Sequence, residues 1–556
     1  MNKNVLFKNV VFLLMIIMLV NVSGCSSDNT TIVPDTEDPV DEDPGNEDPV
    51  DEDPISGDPI LIIKNIQEDF LKFYEELNMD LMQINRQTYM HGAYAGNQGG
   101  SDVVGSWRAA YRVLENSFLL QNLNELESYD VPAYVGVAEV LHAFTFLVSV
   151  DLHGDIPYFE AFDIEQFPNP NLDTGASIYA AQLELLDNAI LHLNETTSDY
   201  PEDLFFNNGF NKNNWIALAN SLKLRALVNI RLVDPTQSLQ GINLLLSNDI
   251  IDTEEEDFQF HYDADVIPST THPFIARNYR AGGVIDYLSN NYYDFLNAGD
   301  SELPFFEEGV QDPRLRYYIY RQHDQAPSSN FLPCEGNSNY DYCYVGNLYW
   351  GRDHSDDEGI PNDALRRSTF GIYPGGGTFD RDLFEPARNV SEGLNGAGIF
   401  PIFLSSFTNF LLAESTLTIG TAGNDRNYLE NGMRLSFEKV SNFANGQELG
   451  GLGMTSSSIN EYITRVLNEY DSTSINGKLE IISREYFIAS WGNGFEIYNI
   501  YRRTGFPNLQ SPIISAGNFP RVFRYSEEEV LNNTNINQQS TDNRTFWDNN
   551  PPGFID

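Results

Sequence analysis

Residues 132–150, PAYVGVAEVLHAFTFLVSV, decide the fold class. The run is apolar nearly all round. A helix formed here has no polar face to offer water, so it is expected to be buried in a larger packed body. Its neighbours carry the matching pattern. Ser106–Leu123 places Trp107, Ala110, Tyr111, Leu114, Phe118 and Leu119 at spacings of three and four, the period of an amphipathic helix. Ala176–Leu193 is amphipathic and opens after Asp173-Thr174. Asn213–Val233 repeats the pattern and stops before Asp234-Pro235, because the residue before a proline is disfavoured in helix. Four such helices in succession suggest helical-hairpin repeats of the tetratricopeptide kind, although their spacing is too irregular to define a period.

Beyond them the character changes. Residues 268–400 are rich in Gly, Pro, Asn, Asp and Tyr, with few periodic runs. Loops this long are uncommon in compact domains and often carry function. Helical patterns return at Ile402–Ala413, Tyr428–Phe443, Ser458–Leu467 and Lys478–Tyr501, and 506–556 is irregular again. The expected architecture is mostly α, with helix pairs packed against a loop-rich half, a layout suited to a binding platform.

The N-terminus reads as an address. Lys3 and Lys8 precede an apolar run, Val10 to Val20, and small residues lead to Cys25 in Val22-Ser23-Gly24-Cys25. These are the marks of an export signal spanning 1–24. The apolar run is far shorter than the roughly 20 residues of a membrane-spanning helix. No later segment reads as apolar enough to span, so the rest is expected to be water-soluble. Residues 25–59 form a tether in which proline recurs at Pro39, Pro44, Pro49, Pro54 and Pro59, each preceded by aspartate. The segment 28–58 holds thirteen acids, no base and no aromatic residue. It cannot bury enough apolar surface to offset ordering entropy, and its charge and prolines extend it. Calcium binding by its repeated acids lacks the required loop glycine and twelve-residue spacing. The remaining 60–556 is read as one ligand-binding domain.

A formal charge of −49 argues against nucleic acid, anionic membrane and acidic polymers as ligands. There is no GxSxG turn, phosphate loop, dinucleotide fingerprint or HExxH helix, which argues mildly for binding over catalysis. With 81 acids, a glycosidase carboxylate pair cannot be picked out from sequence. Besides Cys25 the chain has only Cys334 and Cys343, an even pair expected to bridge in an oxidising compartment. Around them lie Tyr340, Tyr342, Tyr344, Tyr349 and Trp350, with Asn347 and Asp353 nearby. Aromatic faces stack on the C–H faces of sugar rings, and amides and carboxylates orient hydroxyls, so this loop is the candidate ligand site, with Trp350 its central platform. Asp353, Asp356, Asp357 and Glu358 supply enough hard oxygens for a calcium ion, but read more readily as a solvated acidic loop tied to Arg352 or Arg366. No other cofactor is implied.

Five motifs, in order, carry a resemblance. They are Asp151-Leu152-His153-Gly154-Asp155-Ile156-Pro157-Tyr158, Ser221-Leu222-Lys223-Leu224-Arg225, Asp312-Pro313-Arg314-Leu315, the segment from Glu496 through Tyr501-Arg502-Arg503-Thr504-Gly505-Phe506-Pro507, and Pro520-Arg521-Val522-Phe523-Arg524-Tyr525. Together they resemble the SusD/RagB family of outer-membrane nutrient-binding lipoproteins of Bacteroidetes, especially its SusD-like second branch. Ser526 stands where the family usually has proline. Val22-Ser23-Gly24-Cys25 likewise resembles the bacterial lipobox, which implies lipid on Cys25. Ser26 in place of aspartate implies the outer membrane rather than the inner. The resemblance implies four tetratricopeptide-like helix pairs against a loop-rich half. It also implies capture of glycan or peptide without chemical turnover, and delivery to a SusC-like TonB-dependent transporter that the lipoprotein covers as a lid. A secreted glycan hydrolase is the alternative. Arg225 and Arg503, within these motifs, are expected to be buried ion-pair or capping partners rather than ligand contacts.

Overall fold

The computed structural model describes residues 57–555 apart from 98–102, 127–128, 162, 164, 196, 198, 207–208, 265–269, 298–310 and 390–392. The leader, Cys25 and the tether before Gly57 lie outside the described residues. The last Asp-Pro unit of the tether starts the first helix. Asp58 accepts a hydrogen bond from the Ile60 N–H and Pro59 occupies the first turn of α1 (Pro59–Ile84). This is an N-cap with a proline preset for helix, so the folded body begins at the repeat's end.

The helices α2 (Val104–Asn124), α3 (Pro132–His153), α4 (Gly175–Asn194), α5 (Lys212–Ile230) and α6 (Pro235–Leu245) follow, each packed on its predecessor. The partners run in opposite directions. Arg112 meets Asp69 while Ser106 meets Phe73, and Gln121 meets Glu139 while Ser117 meets His142. Lys223 likewise meets Asp187 while Asn229 meets Tyr179. These are the expected helical hairpins, joined by α1 and α6, which the periodicity did not reveal. Thr174 caps α4 as its position predicts; α5 ends at Ile230, short of the expected Val233, and Asp234 caps α6.

Every residue of α3 is buried. By length and composition this helix could cross a membrane, contrary to the expectation that no segment after the leader would qualify. Here it is clad instead by α1, α2, α4 and α5. Most of its polar groups are matched, the His153 Nδ1 being the exception among the described residues. Thr145 and Ser149 donate to carbonyls one turn back, and Glu139 accepts from Gln121. Burial brings His142 down to about 3, so the imidazole is neutral between Ser117 and Tyr158.

The middle of the chain contributes β1 (Phe258–His261), α7 (Pro273–Asn278), α8 (Asn290–Asn297), α9 (Leu315–Tyr318), β2 (Ile319–Tyr320), β3 (Thr369–Phe370) and β4 (Ile399–Phe403). β1 pairs antiparallel with β4, and β2 with β3. Then come α10 (Ser405–Ile419), α11 (Asp425–Phe443), α12 (Ser456–Ser472), α13 (Ile475–Ala489), α14 (Gly494–Thr504) and α15 (Glu527–Asn532). The single helix expected over Lys478–Tyr501 is two. The break comes at Gly492, whose φ is +96°, and Asn493, whose side chain caps α14 at the Phe495 and Glu496 N–H groups. Asn493 also donates to the carbonyls of Pro401 and Ile402, so the break clamps β4.

A buried charge network joins the helical repeats to the C-terminal helices. Arg225 on α5 pairs with Asp151 at 2.8 Å and with Glu496 on α14 at 2.6 Å. Arg503 on α14 and Arg231 pair with Glu414 on α10, each at 2.6 Å. Asp151 also accepts from Asn499 and from the indole of Trp547. Arg225 and Arg503 are therefore ion-pair partners inside the protein, as expected.

Candidate functional site

The stretch between β2 and β3 wraps over α8. Asp353 is the peg that holds it there. Its carboxylate accepts from Asn290 on α8, from the backbone N–H groups of Tyr342 and Cys343, and from Gln510. Cys334 and Cys343 are bonded to each other, with Cα atoms 5.6 Å apart. The chain around them is tightly wound, with Cys343, Asn347 and Leu348 at φ of 54°, 51° and 68°, values that residues other than glycine rarely adopt. Closing a loop of this size with a disulfide contributes on the order of 2–3 kcal/mol.

The seven candidate ligand residues divide by depth. Tyr349 and Trp350 are buried, at 1% and 4% exposure. Tyr349 packs on Tyr293 and under the Arg321 guanidinium, and Trp350 lies against His323 and Phe331. Neither presents a face on which a ligand could stack, which corrects the platform expected at Trp350. Asp353 is a structural brace, not an exposed hydroxyl acceptor; burial raises its carboxyl from the usual value in spite of its donors. Tyr342 is half-buried and tied to Asn291 and Asp294. Tyr340, Tyr344 and the exposed Asn347 reach the surface. Tyr340 donates to Asp356 and the Tyr344 hydroxyl accepts from the Leu348 N–H, so both rings are held in place.

The acidic cluster is likewise corrected. Asp356 is buried and paired with Arg352, while Asp357 and Glu358 point to solvent. Among the described residues no group of three or more His, Cys, Asp or Glu side chains is disposed to hold a metal. Of the two readings of this loop, the arrangement matches the acidic turn tied to Arg352.

Beneath the bridged loop is a small cavity of about 20 Å³, room for roughly one water. Phe331, Leu332, Pro333, Tyr340 and Tyr344 surround it, and Trp350 and Arg352 form part of its lining. Two buried donors here have no partner among the described residues: the Trp350 Nε1–H and the Arg352 Nη1. Buried donors left unmatched cost free energy, so a ligand or water oxygen seated there is favoured. The site is thus an apolar and aromatic rim over a floor that includes Trp350 and Arg352. Phe331 and Arg352 were not among the expected ligand residues. Trp350, Asp353 and the two rim tyrosines announced the site in sequence, through their crowding around the cysteine pair.

Residues 56–335 match a family described as "Starch-binding associating with outer membrane", and residues 399–543 match one described as "Susd and RagB outer membrane lipoprotein". Solved structures share the fold over nearly the whole chain. A SusD/RagB family protein from Bacteroides thetaiotaomicron is similar with a TM-score of 0.65 and 15% identity, over 89% of this chain and 100% of that one. A chitin-binding SusD homolog from Flavobacterium johnsoniae has a TM-score of 0.61 at 17% identity, over 88% and 98% of the two chains. For a SusD homolog from Bacteroides fragilis the values are 0.60 and 17%, over 86% and 94%. At such identities the likeness is one of fold. No curated protein matches the chain.

Proposed function

Because this chain belongs to the SusD/RagB family of outer-membrane lipoproteins, we propose that it captures an oligosaccharide at the cell surface and hands it to a SusC-like TonB-dependent transporter, which it covers as a lid. The observation that carries the ligand reading is the bridged-loop pocket, an aromatic rim over two unmatched donors. A sugar ring lies on Tyr340, Tyr344 and Phe331 through its C–H face while one of its oxygens takes the donors below. Stacking needs little charge, which suits a chain of net charge −49. The disulfide and the Asp353 brace hold the rim still and reduce the ordering cost of binding. The role is binding and transfer, without chemical turnover.

A glycan and peptide array probed with detergent-solubilised full-length protein tests the reading. A glycan is expected to bind, and Tyr344→Ala and Tyr340→Ala each weaken it by tenfold or more, about 1.4 kcal/mol, with the melting temperature near wild type. Binding to peptides alone would overturn the glycan assignment, and unchanged affinity in both variants would place the site elsewhere.

The address belongs to the same proposal. Lipid on Cys25 anchors the domain, with residues 25–57 as spacer. Acyl chains hold firmly because each buried CH2 contributes about 0.8 kcal/mol. Cys25→Ala is expected to release the protein from outer-membrane fractions, and mild-detergent pull-down of the wild type to bring a transporter barrel with it. A Cys25→Ala protein that stays with the membrane, or a wild type that always purifies alone, contradicts the lipid or the lid respectively.

A further inference from the structure

The two tyrosines on the rim of the bridged-loop pocket are held by different parts of the protein. Asp356 takes the Tyr340 hydroxyl, and Asp353 takes the N–H groups of Tyr342 and Cys343. Beyond Tyr344 the chain turns sharply. Gly346, Asn347 and Leu348 follow one another at φ of 84°, 51° and 68°. Two adjoining residues other than glycine keep such a conformation only where their surroundings impose it. The turn is closed from within by two bonds. The Leu348 N–H donates to the Tyr344 hydroxyl at 2.9 Å, and the Tyr349 N–H to the Gly346 carbonyl at 3.1 Å.

From outside, the turn is gripped by Arg321, which directly follows β2 and is buried. Its Nη1 donates to the Asn347 carbonyl at 3.1 Å. The rest of the guanidinium is already fixed. Nε donates to Asp380 at 2.7 Å and Nη2 to Asp382. Asp380 is fully buried, and Arg316 holds Asp382 at 2.9 Å. The cation also lies over the rings of Tyr349 and Phe384, 5.0 and 5.3 Å from their centroids, which adds attraction. A planar fork committed to two carboxylates has the direction of its remaining N–H set in advance. A continuous line of contacts therefore runs from β2 through Arg321 and the Asn347 carbonyl to the turn that carries Tyr344.

We propose that Arg321 is a positioning residue of the rim, which sets the pose of Tyr344 through the Asn347 carbonyl while Tyr340 is set separately through Asp356. The inference rests on the reading that Tyr344 meets the ligand. Arg321 does not line the cavity and acts only through the turn. Lysine is no substitute. It keeps a charge opposite Asp380 but has no rigid fork to hold Asn347 at the same time.

Hydrogen exchange read by mass spectrometry on the detergent-solubilised full-length protein tests it. In Arg321→Lys, exchange over 344–349 is expected to rise at least tenfold while 334–342 exchanges as in wild type. Arg321→Met is expected to do the same, and the lysine variant decides if the methionine variant does not fold. On the glycan and peptide array, Arg321→Lys should weaken each glycan that wild type holds by at least tenfold. Added to Tyr344→Ala it should weaken binding no further, because residues that act through one contact are not additive. Wild-type exchange over 344–349 in the folded variants, or an equal rise across all of 334–349, overturns the positioning role. So does an additive loss in the double variant. If wild type holds no glycan, the glycan reading of the pocket fails, and hydrogen exchange alone decides the role of Arg321.

Discussion

Arg225→Met is expected to lower the stability of the folded body by about 3–5 kcal/mol, because it strands two buried carboxylates. Arg225 is 1% exposed and bridges Asp151 to Glu496, which are themselves buried. Methionine fills much of the volume but leaves Asp151 with only neutral donors from Tyr179, Asn499 and Trp547. The neighbouring Lys223, which pairs with a mostly exposed Asp187, is the control. Lys223→Met should cost under about 1 kcal/mol, as solvent-screened pairs do. Guanidinium unfolding midpoints of the two variants decide the matter, and equal shifts would mean that the network contributes nothing beyond packing. The same network sets an acid limit. Burial alone would raise the Glu414 carboxyl, but Arg503 and Arg231 outweigh it and bring it down to about 2. A carboxylate depressed in the folded state contributes stability that is complete above its unfolded value, about 4.3, and is lost as pH falls through about 2. Unfolding at pH 2–4 should therefore be shallower in Glu414→Gln, which is already weakened at neutral pH.

Trp350→Ala is the second large effect, about 3–5 kcal/mol for removing a buried aromatic and leaving a cavity. The ring is 4% exposed between His323 and Phe331, and its backbone N–H is held by Ser368. Its removal should loosen the bridged loop, so lost ligand affinity in this variant reports collapse of the rim as much as loss of contact. Tyr344→Ala, on the half-buried rim, should instead keep the unfolding midpoint nearly unchanged while affecting binding. Limited proteolysis between 325 and 365 separates the two. Cleavage no faster in Trp350→Ala than in wild type would show that the indole is not what holds the loop.

Helical class was legible because it is a short-range property. The all-round apolar run of α3, the three-and-four spacing in α2, Thr174 before α4 and Asp234-Pro235 after α5 each act within a few residues of themselves. The Cys334–Cys343 bridge was legible for the same reason, as two thiols nine residues apart with no other candidate partner but Cys25. The family rests on motif residues such as Arg225 and Arg503, whose burial the sequence suggested even though their partners were not visible.

Sequence alone therefore determined the leader pattern, the hairpin repeats, the loop-rich middle and the neighbourhood of the site. Tertiary structure alone decided which aromatic residues there face in. Between 340 and 350 the chain is irregular, so no period of 2 or 3.6 assigns sides. Tyr349 and Trp350 turn inward because α8 and Asp353 pull the loop down, while Tyr340 and Tyr344 remain on the rim. One of the two carboxylate partners of Arg225 lies 271 residues away at Glu496. The break at Gly492 and Asn493 answers to β4 rather than to its own helix. Local chemistry selects elements through neighbours in sequence, whereas burial and ion pairing depend on which distant surfaces are brought together, and only packing the whole chain specifies that.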